Sequence, residues 1–254
     1  MGITAVVITK DDEEYIRRCI TGVAFCNEVI IIVDSLINET SEIIQKLKGG
    51  VYGSKLKIIN RPLNNNFAKQ RNFGLKKAKN GWVLFVDSDE IVDSNLGKEI
   101  VYAVKSKKYK GYYLMRRDYI WNTKLNYGDP GRVKLLRLAK RESGEWVRSV
   151  HEYWDVKGRK GVLRNPLLHY PHQTLREFVK KIDYYSEIHA EANLNVGKKA
   201  SLFKIFFYPF FKFIDNYFLK LGFFDGIPGL LSAAMMSFHS YLSWSKLWLK
   251  RNRI

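Results

Sequence analysis

The first ninety residues alternate between short apolar runs and segments whose apolar positions have helical spacing. Apolar runs fall at residues 3–9 (ITAVVIT), 28–35 (EVIIIVDS), 55–60 and 82–86 (WVLFV), each bounded by polar or turn-forming residues, and runs of that length read as buried strands. Between them lie three helical patterns. The first has Asp11 as candidate N-cap with Glu14 three residues later in capping-box position; the others cover 39–48 and 67–79. This β-α-β-α-β-α-β order with short connections predicts an α/β fold with a mostly parallel sheet and right-handed crossovers.

The pattern changes after residue 94. A helix is followed by strand-like segments at 111–121, 133–139 and 150–156, punctuated by glycines and by Asp129-Pro130-Gly131, and then by a polar helix over 174–195. Residues 202–221 (LFKIFFYPFFKFIDNYFLKL) are dense in phenylalanine, yet Lys204, Lys212, Asn216 and Lys220 recur at spacings of four or eight. On a helix those four form one polar stripe and the aromatics cover the rest, with Pro209 permitting a kink. Residues 226–245 contain no Asp, Glu, Lys or Arg, but they do contain Pro228, His239 and five serines. Their length would permit a membrane span, while the polar content favours an interfacial segment, a buried helix pair or an oligomer contact. The expected division is residues 1–200, in halves 1–93 and 94–200, followed by an aromatic and basic helical appendage at 201–254.

Charge narrows the partners. Forty-three Lys and Arg against 25 Asp and Glu give a net charge of +18, which calls for a polyanion, an anionic membrane or an anionic substrate. Zinc-finger spacing, an RNP aromatic motif and a basic zipper are all missing from the sequence, so nucleic acid is not the expected partner. Lys246, Lys250, Arg251 and Arg253 would suit an anionic leaflet or a solvated tail equally. Cys19 and Cys26 lack metal-type spacing and read as free core residues in a reducing compartment. With no signal-peptide pattern after Met1, the expected location is cytoplasmic, peripheral on the cytoplasmic face of the inner or plasma membrane.

The candidate chemistry centres on WVLFVDSDE, residues 82–90, where an apolar run stops at Asp87-Ser88-Asp89. A buried strand delivers both carboxylates at its C-terminal end, where open α/β sheets keep their ligands, and two hard oxygen ligands suit Mg²⁺ or Mn²⁺ carrying a diphosphate. An isolated D-x-D is ordinarily a turn; the strand order around this one gives it another meaning. A dinucleotide site after the first strand is excluded by TKDDEE, which lacks the glycine fingerprint and would repel a pyrophosphate. Asp34 ends the second strand as Asp87 ends the fourth, so it is either a reader of a base N–H or ribose hydroxyl, or a cap or turn residue. Thr9 adds a hydroxyl on the same rim. FAKQRNFG places Lys69, Gln70, Arg71 and Asn72 in one helical turn, where Arg71 could neutralise a phosphate or fix a base, or the turn could be solvated surface. In SVHEYWDV, Glu152 is suited to take a proton from an attacking hydroxyl; His151 could do so instead, or hold an acceptor, and the pair could also be surface polarity. His169 and His172 are too loosely spaced for a zinc site, but one imidazole from that segment could complete a divalent metal's shell.

Taken in order, AVVITKDDEEYIRRCI, EVIIIVDS, NFAKQRNFGLKKAKNGWVLFVDSDE, the VHE of 150–152, LLHY and LGFFDGIPGL resemble glycosyltransferase family 2, the inverting GT-A enzymes, and within it the lipopolysaccharide-core β-glucosyltransferase-like branch. The resemblance implies a GT-A fold, a catalytic domain over 1–200 with its nucleotide-sugar half at 1–93 and acceptor half at 94–200, and a divalent metal, Mg²⁺ or Mn²⁺. It implies a UDP-sugar donor contacted by Thr9, Asp34, Gln70, Arg71, Asp87 and Ser88, with Asp89, Asp87 and His169 at the metal and Glu152 or His151 as base. The expected acceptor is a cell-surface glycan or lipid-linked saccharide, with an anionic membrane surface and a homo-oligomer as further partners. The chain departs from the branch after its second strand, where Leu36 and Ile37 replace small turn residues. Two other classes stay open on sequence: a nucleotidyltransferase attacking an α-phosphate, and a basic membrane- or polyanion-binding protein whose aspartates only cap turns.

Overall fold

The four apolar runs lie side by side as parallel strands. In the computed structural model, residues 2–9, 13–34, 39–49, 53–64, 66–148, 152–171 and 174–252 are described. The chain divides into two compact units, one of Met1–Arg116 and Lys134–His169, the other of Arg117–Val133 and Tyr170–Ile254. This differs from a division at residue 200.

In the first unit, β1 (Ile3–Thr9), α1 (Glu13–Gly22), β2 (Glu28–Val33), α2 (Glu39–Lys48), β3 (Leu56–Asn60), α3 (Phe67–Lys77) and β4 (Trp82–Asp87) follow the predicted order. The capping box expected at Asp11 and the departure at Leu36 and Ile37 lie outside the described residues. The strands run in the order β3-β2-β1-β4, all parallel. Alternation assigns each strand two buried faces. Val7, Val29, Ile31, Leu84 and Val86 pack towards α1, α2 and α4 (Ser94–Ala103), whereas Val6, Ile30, Ile32, Val83 and Phe85 pack towards α3 and a hairpin described below.

The sheet continues antiparallel beyond β4, through β8 (Lys134–Lys140) and then β6 (Gly111–Ile120), which belongs to this unit as far as Arg116. β11 (Lys160–Val162) adds in parallel to β6. In the sheet order β12 (Leu167–His169) follows β6 and forms an antiparallel ribbon with β5 (Glu90–Ile91), while β9 (Gly144–Val147) and β10 (Tyr153–Val156) make a separate two-stranded sheet. Cys19 and Cys26 are buried and unbridged, and burial pushes the Cys26 thiol up to about 12.

The second unit holds the end of β6 paired with β7 (Thr123–Lys124), and the helices α5 (Leu175–Asn195), α6 (Leu202–Ile214) and α7 (Gly226–Asn252). Its apolar centre joins Ile120, Leu125, Phe178 and Ile182 with Met235 and Leu242. Lys246 and Lys250 of α7 pair with Asp183 and Glu187 of α5, which is why α5 groups with the C-terminal helices. The LGFFDGIPGL segment makes the bend between α6 and α7 and supplies the first turn of α7. Leu221 takes a left-handed φ of 61°, and a Cβ on Gly229 would lie 2.1 Å from the Gly222 carbonyl oxygen, so only glycine lets α7 start there.

Candidate active site

Strand register brings the site together. In the β1/β4 ladder Ile8 faces Asp87, and in the β1/β2 ladder Thr9 faces Val33, so Asp34 and Asp87 leave the sheet on either side of Thr9. β1 is the strand from which the order departs in both directions, and the C-terminal end of such a switch point is an open crevice. The Asp34 carboxylate accepts from the Leu63 N–H at 2.6 Å. The buried Thr9 hydroxyl has no hydrogen-bond partner among the described residues, and Ser88 is buried with its N–H on the Ile8 carbonyl.

Asp87 is the hub of a buried ionic network. Arg71, only 3% exposed, donates through Nη2 to Asp87 at 2.9 Å and through Nε to Glu152 at 3.1 Å. From β8, Arg137 donates to Asp87 at 2.5 Å and approaches the sealed Glu90 at 3.4 Å. Glu90 in turn accepts the Asp87 N–H at 2.9 Å. Burial alone would push the Asp87 carboxyl up, but Arg137 and Arg71 outweigh both burial and the nearby Asp89, holding it below the usual carboxylate range. Glu90 goes the other way: burial and Asp87 raise it more than Arg137 lowers it. Burial would lower Arg137, yet Asp87, Glu90 and Glu152 together raise it, so it stays a cation.

Aromatic packing fixes where Glu152 can be. Trp146 of β9 and Trp154 of β10 stack at 5.5 Å and both meet Phe85 of β4 edge-on, at 5.1 and 5.0 Å. Asn72 ties the same hairpin to α3 twice, donating to the Trp146 carbonyl at 2.7 Å and accepting its N–H at 2.8 Å. Trp146 also lies beneath the Arg71 guanidinium at 4.7 Å. Glu152 stands just before β10, at the end of the loop closing this hairpin, and His151 lies outside the described residues.

The β5/β12 ribbon supplies the last member. Its register sets His169 opposite Glu90, next to Asp89, and His169 Nε2 comes to 3.6 Å from Asp89 Oδ1. Among the described residues no group of three or more His, Cys, Asp and Glu side chains is arranged to hold a metal. A closed metal cage is therefore lacking there, while an open corner with one carboxylate and one imidazole is present.

Of the residues expected from sequence, Arg71, Asp87 and Glu152 form one connected network, and Asp89 faces His169. Thr9, Asp34 and Ser88 line the adjoining strand ends. Gln70 sits differently. It is fully buried, accepts from the Arg61 guanidinium and donates to the Arg61 carbonyl at 2.7 Å, so it braces the turn ahead of α3. Arg71 has its Nε and Nη2 committed to protein carboxylates. Arg137, Glu90 and Trp146 were not anticipated, and Asn72 was placed only in the same helical turn as Arg71, without its tie to the hairpin. A lone arginine inside the apolar LLRLA of β8 was the readable signal for Arg137, because an unpaired buried guanidinium would be prohibitively costly.

Parallel strands in the order β3-β2-β1-β4, with carboxylates at the switch point, define a GT-A nucleotide-diphospho-sugar transferase fold. The solved mannosyltransferase PcManGT from Pyrobaculum calidifontis, in complex with GDP-Man and Mn²⁺, shares that fold with a TM-score of 0.57 at 12% identity, over 98% of this chain and 88% of that one. S. aureus TarS 1-349 in complex with UDP matches at 0.50 and 14% identity, over 100% of this chain and 92% of that one. Residues 4–155 match the profile described as Glycosyl transferase family 2, and the chain belongs to that family. It is 26% identical to the lipopolysaccharide core biosynthesis glycosyltransferase LpsC of Rhizobium meliloti (strain 1021), over 98% of this chain and 92% of that protein. An uncharacterized glycosyltransferase of Rickettsia typhi is 25% identical, over 96% and 86%.

Proposed function

We propose that this glycosyltransferase moves a hexose, glucose by its resemblance, from a UDP-sugar to a hydroxyl of a lipopolysaccharide-core or other cell-surface glycan acceptor, with inversion. The observation that carries the reading is the joining of Asp87 and Glu152 through the single buried side chain of Arg71. That bridge holds a donor-side carboxylate and a candidate base at a fixed separation, which is the geometric requirement of direct displacement.

Thr9, Asp34 and Ser88 line the strand ends at which the nucleoside is expected, the unpartnered Thr9 hydroxyl being available to it. Asp89 and His169, an open pair of one hard oxygen and one imidazole nitrogen, would hold a divalent cation. Asp87 is already balanced by two guanidinium groups, so Asp89 is the carboxylate better suited to metal. A bound Mg²⁺ or Mn²⁺ would supply positive charge against the departing diphosphate. Glu152 takes the acceptor hydroxyl's proton as that oxygen attacks the anomeric carbon and the bond to the diphosphate breaks, the electron pair leaving with UDP. No covalent glycosyl-enzyme is required.

The test is a panel of nucleotide sugars, with Mg²⁺, Mn²⁺ or a chelator, read by donor hydrolysis and thermal stabilisation. Asp89→Asn is expected to lower metal-dependent turnover roughly 10²–10³-fold with an unchanged melting temperature. Glu152→Gln is expected to lower kcat by roughly 10²–10⁴-fold while donor stabilisation persists, and His151→Ala less. Full turnover by Asp89→Asn in chelator would remove the metal role, and pyrophosphate release from a nucleoside triphosphate would point to nucleotidyl transfer instead.

A further inference from the structure

The helical pattern of 202–221 sets one polar stripe against a wide aromatic face, and the structure turns that pair inside out. Lys212 and Lys220 donate to Asp129 at 2.6 and 2.7 Å, and buried Asn216 accepts the Asp129 N–H at 2.9 Å, so the stripe points into the second unit. On the other side of α6, Phe203, Phe206, Phe207, Phe210 and Phe211 are 48–65% exposed. At ~100° per residue these five cover an arc of about 140°. Phe224, in the turn that follows, is also 63% exposed. A contiguous apolar surface of this kind marks an interaction site.

Three occupants can be weighed. No single described helix is long and apolar enough to cross a membrane; Leu202–Leu219 and Gly222–Asn252 qualify only together, and they are bent by 72° at the break. A second copy packed face to face would bring the same surface against itself. Of the nine Lys and Arg in 196–254, Lys212, Lys220, Lys246 and Lys250 pair with Asp129, Asp183 and Glu187, and both aspartates of this stretch are engaged, so self-contact would offer no carboxylate from it to the lysines ahead of α6. Both aspartates are turned inward: Asp215 pairs with Lys220, and Asp225 accepts the Asn126 and Tyr127 N–H groups. Lys198 and Lys199 are exposed just ahead of α6. An anionic lipid surface accommodates the aromatics and the cations together.

We propose that α6 and the turn after it lie in the plane of an anionic lipid surface, with the phenylalanines in the boundary between headgroups and acyl chains and no span across it. Vesicle binding needs no turnover, so this inference stands or falls separately from the donor and acceptor assignments.

The full chain would be sedimented with phosphatidylcholine vesicles, with and without phosphatidylglycerol. Binding is expected to the anionic vesicles and to weaken roughly tenfold or more on neutral vesicles or at high salt. A Phe206→Glu, Phe210→Glu double variant is expected to lose binding while keeping its circular dichroism and unfolding midpoint. As a variant that keeps the face apolar, Phe210→Trp should bind, with fluorescence quenched more by lipids brominated near the headgroup than at the chain end. Absence of binding to anionic vesicles, full binding by the double variant, or strongest quenching from the chain end would each overturn the proposal. So would a dimer that the double variant dissociates while the parent ignores vesicles.

Discussion

Phe85 and Phe210 are the same side chain under opposite treatment. In the first unit, Phe85 is sealed beneath Trp146 and Trp154 and shares that interior with the charged Arg71, so charge is hidden and apolar surface with it. In the second unit, Phe210 is 57% exposed, while Lys212, Asn216 and Lys220 of the same segment turn towards Asp129. Water accounts for neither arrangement. Charge is tolerated inside where each carboxylate has a guanidinium to answer it, and phenylalanine is tolerated outside where another phase can cover it. Places where burial rules fail in opposite senses mark two different kinds of contact.

The largest break in this comparison is expected at Arg137. Removing it takes from the sealed Glu90 the guanidinium at 3.4 Å and takes from Asp87 one of its two, leaving Arg71. Breaking a buried ionic set by deleting one partner typically costs about 3–5 kcal/mol, even where the intact set adds little net stability. Arg137→Ala should therefore lose about that much in urea unfolding, and Arg137→Lys should recover part of it because one point charge replaces a fork of donors. A loss below about 1 kcal/mol would mean that water enters the corner and the network is not sealed.

Asp129 is the inverse case, a carboxylate holding lysines inward. Burial would raise its carboxyl, but Lys212 and Lys220 outweigh that and hold it below its ordinary value. A depressed folded value means the contribution is complete above the unfolded value, about 3.9, and is lost as pH falls through the folded one. Asp129→Asn should cost about 1–2 kcal/mol near neutral pH, with the gap from the parent closing as pH drops below about 4. A gap independent of pH would show that the cost is steric.

The first half of the fold was legible because its pattern is local: each apolar run of β1, β2, β3 and β4 is a buried strand, and strand ends bring Asp34 and Asp87 to one rim without long-range knowledge. What spacing alone could not place depends on returning chain. His169 was set with Asp89 at the metal by the family resemblance only, and the β5/β12 register is what brings the two side chains, some eighty residues apart in sequence, to 3.6 Å. Arg137 enters from an antiparallel strand whose place beside β4 no spacing declares. Gln70 and Arg71 were read together as donor contacts, yet one helical step sends Gln70 to Arg61 and Arg71 to the carboxylates. The polar stripe at Lys212, Asn216 and Lys220 was visible, but the side of the helix that would face solvent was not, because amphipathicity fixes two faces without saying which is inside.

The smallest effect sharpens the comparison most directly. Truncating Phe85 to Ala should cost about 3–5 kcal/mol, since it removes the ring on which two tryptophans rest. Phe210→Ser removes an equal ring from a surface, and substitutions there usually stay within about 0.5 kcal/mol. Urea unfolding of the two variants side by side reads the difference. If Phe210→Ser were as costly as Phe85→Ala, the aromatic face of α6 would be part of a core in solution, closed by a second copy, and its exposure in the isolated chain would have no counterpart in the protein at working concentration. If the loss is small, the five phenylalanines contribute little to folding, as the proposed contact with a lipid surface outside the chain requires.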